Sequence, residues 1–442
     1  MKQFRTLVVV LLLTILVIPS IAFASWWNPF SWNWDIFNWF SKPQPSIVQP
    51  NQNTNLALED TAATADGVNA VIGANNQFAF DFYAKHKSDS NFFFSSYSIS
   101  SAMSMVYEGA KGDTATQIAN VFHLPDTKIL EPSSAKIYNE INKANKSYSL
   151  NTANALWAQQ GYPFLSGYFQ VINKYYGGKL TNLDFVGNTE NSRTTINNWV
   201  AGQTNNKIQN LIPQGAIDGS TRLVLTNAIY FKGSWQTQFD KKNTQQADFN
   251  VALGNTIKTD TMQLTGEDAN FKYTENDDVQ VLNLPYKGND LSMTIILPKA
   301  GKTIQDADKY LTPQKFSNLE LGMQKTQINT YIPKFKLETK YFMKDDLSNM
   351  GMPVAFSDSA DLSGMTGTTD LKISQVIHQA FVEVDEQGTE AAGATGVVVG
   401  TTAVMPPSSI KIFRADHPFL FVIQQNSTRN ILFLGRLNNP AK

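Results

Sequence analysis

The order in which hydrophobic periodicity changes along this chain constrains its fold more than any other feature. From about Gly67 apolar residues recur at helical spacing. GVNAVIGANNQFAFDFYAKH reads as an opening helix, ISSAMSMVYEGAKG as a second ending at Gly109 or Gly112, and ATQIANVFHLP as a third stopped by Pro125. Later the period falls to two, or to short apolar runs. LVLTNAIYF, VQVLNLPY, LSMTIILP, QINTYIPKFKLE, QAFVEVD, HPFLFVIQQ and NILFLGRL all read as strands. Helices early, strands late and no regular alternation predict an α+β fold with large, mostly antiparallel sheets rather than a doubly wound one. No internal repeat is visible, and 442 residues suffice for one large core or two ordinary ones.

The first residues read as an export signal. Lys2 and Arg5 precede an apolar run over 7–18, and Ala22-Phe23-Ala24 offers a small-x-small cleavage pattern, so residues 1–24 are expected to be removed. The alternative is an uncleaved anchor over 7–23, barely long enough to span a bilayer at ~1.5 Å per residue. The expected location is therefore secreted or in the cell envelope. Residues 25–40 hold five of the eight tryptophans: Trp26, Trp27, Trp32, Trp34 and Trp39. Such a stretch suits a lipid interface, where Trp is favoured, and equally a partner or the folded domain. A Pro-, Asn-, Gln- and Thr-rich linker follows to residue 66, and the globular domain occupies 67–442.

Apolar residues at 42% and charged residues at 17% are globular values. The formal net charge of -1, or -3 without the leader, excludes the basic balance expected of general nucleic-acid binding. The chain has no cysteine. Disulfides, thiolate zinc sites, lipid attachment through an N-terminal Cys and cysteine-protease chemistry are all excluded.

Residues 384–407, VDEQGTEAAGATGVVVGTTAVMPP, fit neither element. They hold too much Gly and Ala for a good strand, and Gly, Val and Thr spoil them as a helix. All three charges, Asp385, Glu386 and Glu390, lie near the start, and strand-like sequence flanks both sides.

A search for catalytic chemistry finds little. HExxH, G-x-S-x-G and a G-x-x-x-x-G-K-[ST] phosphate loop are all missing. Asp277-Asp278 and Asp345-Asp346 sit among polar residues and read as solvated loop or helix-start charges. Of the four histidines, His123 ends a helix, where an imidazolium suits the dipole, and His417 precedes Pro418 at the start of a strand. His378 reads as a buried, hydrogen-bonded histidine within a sheet. No metal site and no cofactor is expected. Lys128, Lys136, Lys143 and Lys146 are too scattered to form a basic patch for a heparin-like cofactor.

Several longer segments nevertheless resemble one family. NAIYFKGSW from Asn227, DLSGM from Asp361, EQGTEAAGAT from Glu386 and FRADHPFLF from Phe413 are similar to the signatures of serpins. FFFSSYSIS from Phe92, NALWAQQGYPF from Asn154 and FLGRLNNP from Phe433 add support. Order and spacing hold from about Gly67 to the C-terminus. The resemblance implies one domain with three β-sheets, eight or nine helices and an exposed reactive loop at about 386–407. It implies no enzyme, and instead a suicide substrate for serine proteases. The protease attacks the loop and forms an acyl-enzyme; the cut loop inserts into the central sheet and distorts the oxyanion hole and triad. Strand addition by the serpin reactive loop is itself a standard example of that recognition mode. The partner is thus a serine protease, and the inhibitor is expected to be monomeric. A non-inhibitory carrier, storage or chaperone role is the alternative, against which the small hinge Ala391-Ala392-Gly393-Ala394 speaks.

The family's usual count, sixteen positions after the residue matching Glu386, puts the reactive bond at Thr402–Ala403, within a window from Gly400 to Met405. Small or apolar residues throughout that window point to elastase-like or subtilisin-like proteases. Alternation then assigns Thr389, Ala391, Gly393, Thr395, Val397 and Val399 inward, leaving the charged Glu390 outside. Gly388 absorbs the turn where the loop leaves its strand. Residues matching the family's sheet-opening cluster are Ser95, Ser98, Asn227 and His378, and Trp235 matches the aromatic residue where the loop enters the sheet.

Overall fold

A computed structural model describes residues 57–87, 90–143, 146–252, 254–389 and 410–441. The chain divides into two units, 1–51 and 52–442, and every described residue belongs to the second. Three helices open it. In α1 (Ala65–His86) the Thr64 hydroxyl caps the Gly67 N–H. In α2 (Ser96–Gly109) Ser95 caps Ser98. In α3 (Gly112–Phe122) the helix ends at His123 in the left-handed conformation, φ 54°. Then come α4 (Thr127–Ile141), α5 (Ser166–Tyr175), α6 (Thr189–Gln203), α7 (Ile304–Asp308), α8 (Pro313–Leu321), α9 (Lys344–Met350) and α10 (Ser363–Thr366). Among the described residues α7 and α10 are single turns of five and four residues, and eight helices are longer.

The central sheet has six strands in the order β11-β12-β13-β4-β2-β3. These are β2 (Tyr148–Gln159), β3 (Lys179–Leu183), β4 (Leu223–Ser234), β11 (Phe335–Phe342), β12 (Gln375–Asp385) and β13 (Gly388–Thr389). Alternation along β4 sends Leu225, Ile229 and Phe231 into the main cores and Val224 and Ala228 to the opposite face, beneath α6.

A second hydrogen-bonded network runs β1-β16-β15-β9-β8-β7-β10-β6-β5, with β14 paired to β10. Its strands are β1 (Phe92–Phe94), β5 (Gln245–Ala252), β6 (Asn255–Leu264), β7 (Asn270–Glu275), β8 (Val279–Pro285), β9 (Leu291–Pro298), β10 (Gln324–Pro333), β14 (Lys411–Arg414), β15 (Phe419–Gln425) and β16 (Ile431–Leu437). It divides at β10. Gln324–Gln327 pair with β7, whereas Thr330–Pro333 pair with β6 and Ile328–Tyr331 with β14. Three sheets result. Strands β9 and β15 are buried at every residue, because they lie between helices on one face and the central sheet on the other; hence their largely apolar sequence on both faces.

One segment differs from its sequence reading. QINTYIPKFKLE is not one strand but parts of two, β10 and β11, in different sheets. The break falls at Lys334, whose N–H still follows the β6 register to the Asp260 carbonyl at 2.7 Å, before Phe335 starts the pairing with β12 opposite Val384.

Candidate functional site

The site is the seam between β12 and β4. Along Gln375–Phe381 and Val224–Tyr230 these strands pair in parallel over seven residue pairs. Above Phe381 they separate, and β13 occupies the gap, antiparallel to both. Thr389 lies opposite Val384 on β12 and Gly233 on β4, and Gly388 opposite Asp385 and Ser234. Gly388 and Thr389, near the start of the loop, are thus already strand, wedged at the top of a seam that is closed below.

The chemistry of the wedge is local. Gly388 has φ 155°, and a Cβ there would fall 2.0 Å from the Gly233 carbonyl oxygen and 2.6 Å from Ser234 Cα. Only glycine allows that backbone approach. Thr389 is fully buried, its hydroxyl 2.7 Å from Tyr286 Oη. Tyr286 stacks on Trp235 at a centroid distance of 4.6 Å. Trp235 in turn donates its indole N–H to the Asp385 carbonyl at 3.0 Å and its backbone N–H to the Gln387 carbonyl at 2.8 Å.

Glu386, 2% exposed, accepts from Thr244 Oγ1 at 2.8 Å and Lys334 Nζ at 3.1 Å. Burial opposes its ionisation. The Thr244 hydroxyl, its own backbone and Lys334 together outweigh burial and hold the carboxyl below its ordinary range. The two turn residues between β12 and β13 are therefore pinned from three sides.

Lower in the seam, Ser95, Ser98, Asn227 and His378 lie together. His378 and Asn227 are direct partners in the β12–β4 register. Asn227 Nδ2 lies 2.6 Å from each of Ser98 Oγ, the Ser98 carbonyl and Asn154 Oδ1, three acceptors that share its two N–H donors. Its Oδ1 is thereby left to accept from His378 Nδ1. The Ser95 N–H donates to His378 Nε2 at 3.1 Å, so that nitrogen carries no proton. Both contacts demand the neutral Nδ1–H tautomer. Burial pushes the His378 pKa down to about 3, in agreement. Ser95 Oγ also donates to the Leu432 carbonyl at 2.7 Å while capping α2, so one serine joins helix, sheet and seam.

Four members of the site escaped sequence reasoning: Asn154, Tyr286, Lys334 and Thr244. Asn154 had a signal, being an amide that opens the apolar run Ala155–Ala158. The other three stand in ordinary strand or turn contexts and had none. Glu390, Ala391, Ala392, Gly393, Ala394, the Thr402–Ala403 bond and the five N-terminal tryptophans lie outside the described residues. Of the carboxylate pairs, Asp345 and Asp346 start α9, while Asp278 is held by Lys302 and the Tyr310 hydroxyl. Among the described residues no group of three His, Cys, Asp or Glu could hold a metal.

A central sheet with the start of a loop lodged in its seam defines a class, and the comparisons name it. The family model for serpins, described as serine protease inhibitors, matches residues 73–440, and the chain belongs to that family. A serpin-like protein of Methanosarcina mazei is 42% identical over 88% of this chain and 92% of its own length. Human leukocyte elastase inhibitor is 39% identical over 84% of this chain and 99% of its own. Among solved structures, human thyroxine-binding globulin in complex with thyroxine superposes with a TM-score of 0.76 at 27% identity, over 85% of this chain and 99% of that one.

Proposed function

We propose that this protein is a suicide-substrate inhibitor of serine endopeptidases, cleaved near Thr402–Ala403 and aimed at elastase-like or subtilisin-like enzymes. The observation that carries this reading is the β13 wedge: a closed seven-pair seam with Gly388 and Thr389, near the start of the loop, already between its strands. The human relative's name, leukocyte elastase inhibitor, agrees with the small and apolar residues of the bait window.

Insertion has a defined register under this reading. Extending β13 one residue at a time sets Ala391 opposite Phe231 and Val382, Gly393 opposite Ile229 and Ala380, and Thr395 opposite Asn227 and His378. Insertion severs the Asn227–His378 bond, and the Thr395 hydroxyl arrives at that level with both a donor and an acceptor. Val397 follows against Leu225 and Val376. Burying Val397 and Val399 contributes ~1.5–3 kcal/mol each. A dozen new ladder bonds at ~0.5–1.5 kcal/mol each add on the order of ten before entropy is charged. That rivals the ~5–15 kcal/mol holding a typical domain together, so the uncut form is kept by kinetics.

Export follows from the leader, with residues 25–40 as a contact to the envelope. Mass measurement of the mature chain should place its first residue at Ser25. The decisive experiment mixes mature protein with elastase and with subtilisin. Denaturing electrophoresis should show a covalent adduct, and the released peptide should begin at Ala403. Clean loop cleavage by both enzymes without adduct would sink the inhibitory reading in favour of a non-inhibitory serpin.

A further inference from the structure

The polar chain at the seam continues away from it. Asn75 of α1 donates Nδ2 to the Ile431 carbonyl and to Asn430 Oδ1, each at 2.8 Å. A backbone carbonyl can only accept, so it fixes both amides: Asn75 presents its nitrogen and Asn430 its oxygen. Asn75 Oδ1 and Asn430 Nδ2 remain, buried and without partners, and Ser100 Oγ is a third such atom. All three residues line one cavity between α1, α2, α4 and the end of α5, with Tyr97, Tyr138 and Tyr176 among its walls. Its lining includes no Asp, Glu, Lys, Arg or His. Burial raises the pKa of those three phenols, so they stay protonated.

Each unpaired buried group costs about 1–3 kcal/mol, and three around one space call for an occupant that pairs with them. It must donate to Asn75 Oδ1 and accept from Asn430 Nδ2. It must be neutral, because the lining offers no counter-charge. The cavity volume of about 30 Å³ holds roughly two waters, or a group of that size. We propose that this cavity binds the head of a small primary amide and that its occupancy biases opening of the central sheet. A primary amide carries an acceptor and a donor side by side, in the spacing with which Asn75 and Asn430 already meet each other. Whatever is attached leaves past Tyr138, which is only half-buried.

The coupling has a physical course. Ser100 shares α2 with Ser95 and Ser98. Ser96 Oγ donates to the same Ile431 carbonyl as Asn75, at 3.0 Å, and Ser95 Oγ to the next one, Leu432. An occupant that draws α2 and the start of β16 together holds the donors of the His378 network in place. This second half rests on the inhibitory reading; the binding itself does not.

The test titrates isotope-labelled protein with acetamide, using acetate and ethylammonium as charged controls, and follows the side-chain amide resonances of Asn75 and Asn430. Saturable shifts are expected with acetamide alone, and their loss in Ser100→Val, which fills the cavity. Ser100→Ala, which removes only the hydroxyl, should weaken binding at least threefold and serves if the valine variant does not fold. Absence of any saturating shift, meaning water only, overturns the site, as does equal binding by the folded Ser100 variants. With elastase, saturating acetamide should lower the fraction of protein reaching the covalent adduct at least twofold in the wild type and not in Ser100→Val. An unchanged fraction with binding intact overturns the coupling. Absence of adduct even without acetamide overturns the inhibitory reading and leaves the binding result standing.

Discussion

Two histidines show how position alone sets the sign of a pH effect. His378 is buried between an obligate donor, the Ser95 N–H, and an acceptor, Asn227 Oδ1. Its folded pKa of about 3 lies below the ordinary 6.5. The stability it allows is complete above about 6.5 and is lost as pH falls towards 3, as the unfolded chain takes the proton first. His417 is the reverse case. Burial opposes its charge, but Asp416 at 2.7 Å and the Pro298 carbonyl at 2.9 Å face its two nitrogens and raise its pKa. Its contribution is complete below the ordinary value and is lost as pH rises through the raised one. Melting temperature against pH should therefore fall on both sides of neutrality. Gln in place of His378 keeps a donor and an acceptor at similar reach and should flatten the acid limb alone; an unchanged acid limb would remove His378 from the account. Glu386 behaves like an ordinary paired acid, its depressed pKa giving stability that disappears in acid. Glu386→Gln leaves Lys334 without its partner and should lower stability by about 1–3 kcal/mol, read as a shifted denaturant midpoint.

At the scale of elements, β13 is two residues long and depends on a single missing side chain. Gly388→Ala forces a Cβ to 2.0 Å from the Gly233 oxygen. Neither strand backbone can yield, so β13 should leave the seam. Trp235, bonded to Asp385 and Gln387, reports this as a change in its fluorescence, and an unchanged spectrum would mean that the contact relaxes some other way. Thr389→Arg sets a charge in the buried site beside Tyr286, and Thr395→Val removes the hydroxyl that the extended register brings to the severed Asn227–His378 pair. Both should slow insertion and raise the moles of inhibitor consumed per protease trapped, Arg more than Val. Equal stoichiometry for wild type and Thr389→Arg would refute the inward face. On the opposite face, α6 is held over the sheet by a compact cluster. Lys179 Nζ lies 5.2 Å from the Trp157 ring and 5.3 Å from Trp199, and Trp157 Nε1 donates to Thr226 at 2.8 Å. Thr226 pairs with Ile377 across the seam, so a strand inserted there passes beneath α6. Under the proposed insertion Ala392, Ala394 and Gly396 would take the outward positions there, which small side chains suit.

For the whole molecule, the proposed insertion requires a native state that is not the most stable arrangement of its own chain. Under that proposal the seven parallel seam pairs are exchanged for two antiparallel ladders once cutting releases the loop. Cleaved protein should melt far above intact protein, the difference being on the order of 10 kcal/mol. Differential scanning calorimetry of the two forms measures it. Equal melting temperatures would mean that the loop does not insert, whatever protease cuts it.

Much of this was legible one residue at a time. The helix-then-strand order predicts the α+β class because burial on one face imprints a period on the chain. The three opening helices, with the Gly109 stop, follow from that period. The oddity of residues 384–407 is legible too, since their Gly, Ala, Val and Thr content favours neither strand nor helix. Strand β2 was harder to see: Asn151, Thr152 and Asn154 break its apolar run. One of them, Asn154, is there to complete the seam network. What the tertiary structure alone decided is where distant groups meet. Glu386 finds Lys334 because Phe335 pairs with Val384 across two strands, His378 finds its tautomer because Ser95 caps a helix nearly three hundred residues earlier, and Gly388 is required by the backbone of Gly233. Such contacts carry no local period or propensity. They exist only once the sheets have closed around them, so composition and spacing predict the kind of fold, and long-range packing sets how tightly its seam is held.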